Sequence, residues 1–178
     1  MADSDAVTNS PIQTATATLH TNRGDIKVAL FGNHAPKTVA NFVGLAQGTK
    51  EYSTQNASGG PSGPFYDGAV FHRVIRGFMI QGGDPTGTGR GGSGKKLRAE
   101  FSKEPHNRGA VSMARAQSPD SADSQFFICF DDARFLDGQY TVWGRVTQGM
   151  ENVDKITRGE PPAKPDKIVT MRVAADAG

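Results

Sequence analysis

One cysteine in 178 residues, Cys129, leaves no partner for an internal disulfide. It sits in the apolar run "QFFICF" and reads as a small core residue rather than a reactive thiol. Long apolar stretches are also missing, since none approaches the roughly 20 residues of a membrane span. The opening "MADSDAVTNSPIQTATATL" has neither the basic start nor the apolar middle of a secretory leader, so a reducing cytoplasm is the expected compartment. Excess charge is scarce too: 20 basic against 18 acidic residues leave +2. No run of five basic residues occurs, so the balance lends no support to nucleic acid or a membrane surface as partner. What is abundant is glycine, 22 of 178 residues, roughly 12% against about 7% in an average protein. Glycine on that scale implies many tight turns and backbone that passes close to something.

The chain is long enough for one domain with a sizeable core. Residues 1–14 read as a polar tail and residues 15–178 as the domain. "ATATLH" and "DIKVAL" alternate with period two, turning Ala15, Ala17, Leu19, Ile26, Val28 and Leu30 inward, with "TNRG" as the hairpin turn between them. "APKTVANFVGLAQG" changes period: Val39, Phe42, Val43 and Ala46 fall on one helical face, with Pro36 early and Gly48 just past the end. Residues 49–64 form a polar loop. Strand-like pieces return at "AVFHRVI", "GFMIQ", "GAVSMA", "QFFICF", "YTVWGRV" and "KIVTMRV", and "GMENVDKIT" reads as a second short helix stopping at Gly159. Eight short strands and two separated helices do not alternate as βαβ units. The expectation is a mainly β fold: a closed eight-stranded antiparallel β-barrel capped by two α-helices, closure removing exposed edges.

Several motifs compete for the chemistry. "GRGGSGKK" nearly matches a phosphate-cradling loop through Gly89, Gly94 and Lys95, but Lys96 stands where a magnesium-binding hydroxyl belongs, and Pro105 follows too soon for a helix. His20, His34, His72 and His106 show no ligand spacing, so neither metal nor other cofactor is expected, and His72 reads as structural. No serine sits in a G-x-S-x-G elbow.

"FHRVIRGFMIQGGD", Phe71 to Asp84, remains. Parity places Arg73 with Phe71 and Ile75, and an unpaired guanidinium in a core is very costly. Either Arg73 is paired internally or that face opens into a groove. Rings and sulfur crowd nearby in sequence: Phe78, Met79, Phe126, Phe127 and Phe135. A groove of apolar rings with one Arg and an amide such as Gln81 suits an extended peptide carrying a compact apolar residue.

That stretch closely resembles the signature of the cyclophilins, the peptidyl-prolyl cis–trans isomerases. The likeness runs from about Ala15 to Val173 and includes "APKTVANFVGLAQG", "GAVSMARA" and "SQFFICFDDARFLDGQYTVWGRV" in family order. The resemblance implies Arg73 as the catalytic residue, with Gln81 holding its fork. Phe78, Met79, Phe127 and Leu136 would form the proline pocket. Gln81, Gln125 and the Ala114–Arg115–Ala116 strand would contact the peptide backbone, beside Gly89. Three positions depart from the best-known eukaryotic members: Phe135 stands for a rim tryptophan, Tyr140 for a histidine and Arg115 for an asparagine. The implied partners are proline-containing peptides and unfolded or folding proteins, bound by a monomer, with cyclosporin held less tightly because the indole N–H is gone. A non-catalytic peptide-binding module on the same barrel is the competing reading, separated from the first by whether X–Pro exchange is accelerated.

Overall fold

The computed structural model describes residues 10–175, so residues 1–9 of the expected tail lie outside it. β1 (Gln13–Thr21) and β2 (Gly24–Phe31) form the hairpin expected around "TNRG", with Ala17, Leu19, Ile26, Val28 and Leu30 buried on one face. α1 (Pro36–Gln47) follows, then β3 (Arg73–Ile75), β4 (Met79–Gly82), β5 (Ala110–Met113) and β6 (Phe126–Cys129). A 3₁₀ turn (Arg134–Leu136), β7 (Val142–Gln148), α2 (Met150–Val153) and β8 (Ile168–Ala175) complete the order.

The ladders are antiparallel and run β3-β4-β6-β5-β7-β2-β1-β8. They do not close. The expected closed barrel is corrected to an open half-barrel with β3 and β8 as its ends. β3 is only three residues long, and its outer edge is taken by the loop after α2: Val74 and Gly159 exchange two backbone hydrogen bonds of 2.8 and 2.9 Å. An isolated bridge between Val70 and Lys167 spans the remaining gap. Loop backbone covers the edge that closure was expected to remove.

The sheet buries both faces along its central strands, and strand alternation decides which residue goes where. On the inner face Val74, Ile80, Val111, Phe126 and Ile128 join the main core. There Phe42 of α1 packs on Trp143 with ring centroids 4.4 Å apart. α1 buries Val39, Phe42, Leu45 and Ala46, while Val43 from the expected stripe is only half buried. The helix ends at Gly48, whose φ of +77° is left-handed and whose position leaves no room for a Cβ against Gly63 and Pro64. Its N-terminus has no local cap. Glu100 supplies one from a distant loop, accepting hydrogen bonds from the Lys37 and Thr38 N–H groups and the Thr38 hydroxyl. α2 is shorter than "GMENVDKIT" suggested, although Val153 and Ile156 are fully buried as expected.

Asp166, buried just before β8, ties three segments together. It accepts hydrogen bonds from Asn22 and Arg23 of the first hairpin turn, and from the N–H and hydroxyl of Thr157. Burial alone would raise its pKa, but these bonds outweigh that and hold the carboxyl below the usual carboxylate range. A depressed native pKa contributes stability above the unfolded value of about 3.9, and that stability is lost as pH falls toward the native value. Asp166→Asn should therefore cost about 1–3 kcal/mol at neutral pH. The deficit should shrink in acid, as read by urea unfolding at pH about 7 and about 3.

Candidate active site

An eight-residue spacing becomes a side-by-side pair through one tight hairpin. β3 and β4 pair Ile75 with Met79 and Arg73 with Gln81, so the guanidinium and the carboxamide stand directly opposite on neighbouring strands. Gly77 supplies the left-handed residue of the turn at φ +71°, and the Phe78 N–H closes it on the Ile75 carbonyl at 3.0 Å. Gln81 in turn pairs with Phe127 of β6, which extends the row across the sheet. The parity expectation needs one correction. Phe71 lies in the main core, opposite to Arg73, because the ladder begins only at Arg73 and alternation does not reach back to residue 71. Of the two alternatives for Arg73 the open face holds: its side chain is 46% exposed there, and its ion-pair partner Glu160 is exposed as well rather than internal.

That outer face carries a second apolar cluster, separate from the core, built on Met79, Ala110, Phe127, Cys129 and Ala133. Its surface opens as a slot of about 100 Å³ lined by Arg73, Phe78, Met79, Gln81, Ala114, Arg115, Phe127, Leu136 and Tyr140. Met79 and Phe127 are buried, so they form the floor. Phe127 is propped from behind by His106, whose ring lies 6.0 Å away and nearly parallel. Cys129 is enclosed within this cluster and burial pushes its thiol up to about 12, as expected of a core residue. Phe135 does not line the slot. It stands 68% exposed on the 3₁₀ turn and packs against Phe78 at 5.7 Å, forming an outer rim.

Beside the slot lies a larger basin of about 510 Å³, reached past Gln81, Ala114 and Arg115, which line both. Ala116, Gln125 and Gly89 face only this basin. Arg115 stiffens the wall between the two cavities: it donates to the carbonyls of Gln139, Ala116 and Gln117, and its guanidinium covers the Tyr140 ring at 4.4 Å.

A directed chain of hydrogen bonds crosses both cavities. Arg73 donates through Nε to Glu160 Oε1 at 3.1 Å and through Nη1 to Gln81 Oε1 at 3.4 Å. Gln81 donates to Gln125 Oε1 at 2.9 Å, and Gln125 donates to the carbonyls of Gly89 and Gly91 at 3.0 Å each. Each amide is thereby oriented, and Arg73 keeps three of its five N–H donors for the slot. The glycine loop that ends the chain is held by Asp84, fully buried, which accepts from the N–H groups of Thr86, Gly89 and Gly91 and from the Thr86 hydroxyl. Burial would raise the Asp84 pKa, but these bonds prevail and lower it. Glu160 and Asp84 were not singled out in the sequence. Asp84 closes the "GGD" of the signature stretch, and a carboxylate next to paired glycines is the local signal that could have found it, whereas nothing near Glu160 in sequence points to Arg73.

Comparison with known proteins gives the family. A family model for cyclophilin-type peptidyl-prolyl cis-trans isomerase matches residues 16–173. Peptidyl-prolyl cis-trans isomerase A of Mycobacterium tuberculosis is 69% identical over 147 residues, spanning 82% of this chain and 81% of that protein. A peptidyl-prolyl cis-trans isomerase of Helicobacter pylori is 45% identical over 152 residues, 83% of each. Among solved structures, a cyclophilin-type isomerase of Cryptosporidium parvum superposes with a TM-score of 0.76 at 31% identity, covering 93% of this chain and all of that one. The same protein solved in the presence of the dipeptide Ala-Pro gives 0.75 at 32% identity, over 90% and 99% of the two chains.

Asp84→Asn places amide donors where backbone N–H groups converge. Amide hydrogen exchange at Gly89 and Gly91 should accelerate by about tenfold or more while the main core stays protected.

Proposed function

The chain belongs to the cyclophilin-type peptidyl-prolyl cis–trans isomerases, and we propose that Arg73 drives its rotation of X–Pro bonds by binding the amide midway through the turn. A peptide bond resists rotation by about 18–20 kcal/mol because its C–N bond is partly double. The cis and trans forms of X–Pro differ by only about 0.5–1 kcal/mol, so the equilibrium needs no help and the barrier does. In the twisted state the nitrogen lone pair is no longer shared with the carbonyl and becomes a hydrogen-bond acceptor. A donor aimed at that nitrogen bonds more strongly as rotation proceeds, and this differential binding is the catalysis.

The observation that carries the reading is the placement of a charged fork at the mouth of an apolar slot. Glu160 and Gln81 hold Arg73 on two sides, which fixes its direction without occupying every donor. A guanidinium suits the role because it is charged throughout the working range of pH and geometrically rigid. Met79, Phe127, Phe78 and Leu136 grip the pyrrolidine ring, which a slot of about 100 Å³ accommodates. The backbone of Ala114, Arg115 and Ala116, with Gln125 and the loop at Gly89, holds the flanking peptide extended. Gln81 is assigned to positioning Arg73 through their mutual hydrogen bond. No nucleophile or redox centre enters these steps.

The same reading extends to biology. The isomerase domain is assigned to residues 15–178, with residues 1–14 as an appendage. Its substrates are X–Pro sites in unfolded or folding proteins, since recognition dominated by backbone leaves few side chains to read sequence. A monomer is supported by the distribution of the large exposed hydrophobics among the described residues, Ile12, Phe101, Phe135 and Val169, over four different segments. Among the described residues no helix is long and apolar enough to cross a membrane. A cytoplasmic location is favoured by the single, deeply buried thiol. Phe135 and Tyr140 keep aromatic surface but offer no indole N–H, so cyclosporin is bound more weakly than by members with tryptophan at the rim.

Arg73→Ala should lower kcat/KM for Ala–Pro peptides by about 10²-fold, equivalent to about 2.7 kcal/mol, with unchanged circular dichroism. Exchange NMR on a short Ala–Pro peptide measures it, and a folded variant with full activity would contradict the role given to Arg73. Phe135→Trp should tighten cyclosporin binding in calorimetric titration, and an unaltered affinity would remove the indole argument.

A further inference from the structure

Lys96 belongs to two cavities. It lines the basin together with Arg90 and Arg115, and it also lines a neighbouring cleft of about 480 Å³ whose walls carry Lys37, Lys50, Lys95 and Arg98. The basin itself opens into the proline slot past Gln81, Ala114 and Arg115. One continuous surface thus runs from the isomerisation site to the N-terminal end of α1, presenting seven cations. None of them forms an ion pair among the described residues, whereas six arginines elsewhere do.

Carboxylates that could have neutralised this surface are committed to backbone. Asp123, the one acidic residue in either lining, accepts from the N–H and hydroxyl of Ser93 and from the Gly94 N–H. Glu100 caps α1, and Asp120 accepts from the Ala99 N–H. Asp84, behind the basin wall, is likewise taken up by the Gly89 and Gly91 N–H groups, so seven positive charges against these four carboxylates leave a surplus along the two clefts in a chain whose formal net charge is only +2. The crowding is felt locally: burial and then the charge of Lys95 draw the Lys50 ammonium below its usual range, and Asp123 offsets this only in part. A surface that keeps uncompensated charge beside its own substrate groove attracts substrate of opposite sign.

We propose that this surface binds acidic side chains of the client peptide flanking the X–Pro bond, so that the enzyme selects prolines set in acidic sequence. The inference rests on the isomerase reading above and adds a substrate class to it. Peptide is favoured over nucleic acid because no aromatic ring lines either cavity, so the ring platforms on which single-stranded bases stack are missing from both. The charges are also strung along two clefts rather than converging on one point, as suits an extended chain better than a single phosphate.

Exchange NMR on an Ala–Pro peptide flanked by three residues on either side tests this, with the flanks built from Gln, Glu or Lys. At about 20 mM salt the better-placed Glu flank should raise kcat/KM about tenfold over the Gln peptide, and at about 0.5 M salt the advantage should fall to about twofold or less as screening shortens. In Lys95→Glu/Arg98→Glu the ratio of Glu to Gln peptide should drop below one and the Lys peptide should gain. Equal rates for Glu and Gln peptides at low salt would overturn the proposal, as would a Glu advantage indifferent to both salt and charge reversal. A single-stranded oligonucleotide bound at about 0.15 M salt, with no advantage for the Glu peptide, would reassign the surface to nucleic acid and also overturn it. The Gln peptide separates this from the isomerase mechanism, whose failure would appear as absent acceleration of that uncharged reference in the wild-type enzyme.

Discussion

Antiparallel pairing of Arg73 with Gln81 is the constraint on which the rest of the site depends. It fixes a guanidinium at the lip of an apolar slot, and the adjoining pair of Gln81 with Phe127 places the slot floor one strand further on. A shift of one residue in either ladder would send these side chains to the other face of the sheet. The register is held by what lies behind it, since Val74, Ile80, Ile128 and Val111 alternate with the site residues and are nearly or fully inaccessible. The core therefore specifies the face that carries the candidate site.

The two faces differ in kind. The inner one is closed by α1 and by a set of tilted and edge-on ring contacts among Phe42, Tyr66, Phe126 and Trp143. The outer one carries a smaller apolar cluster that is left partly open, and its opening is the slot. Rigidity is supplied from outside the strands as well. The glycine loop is fixed by Asp84 and by Gln125, and residues 53 and 54 reach it from the long polar segment, Ser53 N–H bonding the Ser93 carbonyl and the Thr54 hydroxyl the Gly92 carbonyl. That polar segment is thus structural, with Asn56 at its centre bonding Ser58, Gly60, Ser62 and Tyr52.

Acidic residues in this protein act largely as organisers of backbone. Asp84, Asp123, Asp166 and Glu100 each accept main-chain N–H groups in loops or at a helix end. A carboxylate suits that task because it accepts several bonds at once. The consequence is electrostatic: lysines and arginines around α1 and the glycine loop are left without ion-pair partners, and an almost neutral composition conceals a basic flank next to the groove.

The sequence by itself determined the hairpin of β1 and β2, the helical stripe of α1 and the membership of the slot residues in a recognisable signature, because these depend on periodicity and on residue type within short windows. It also placed Arg73 and Gln81 at a spacing that a hairpin can join. Whether the sheet closed, which face Phe71 takes, and that α1 is capped by Glu100 and Arg73 steadied by Glu160 were decided only by tertiary structure. Each of these joins residues far apart in the chain or depends on where a ladder begins. Pairing across 87 residues between Arg73 and Glu160 leaves no trace in local pattern, because it is the loop after α2, folded against the edge of β3, that brings the carboxylate there.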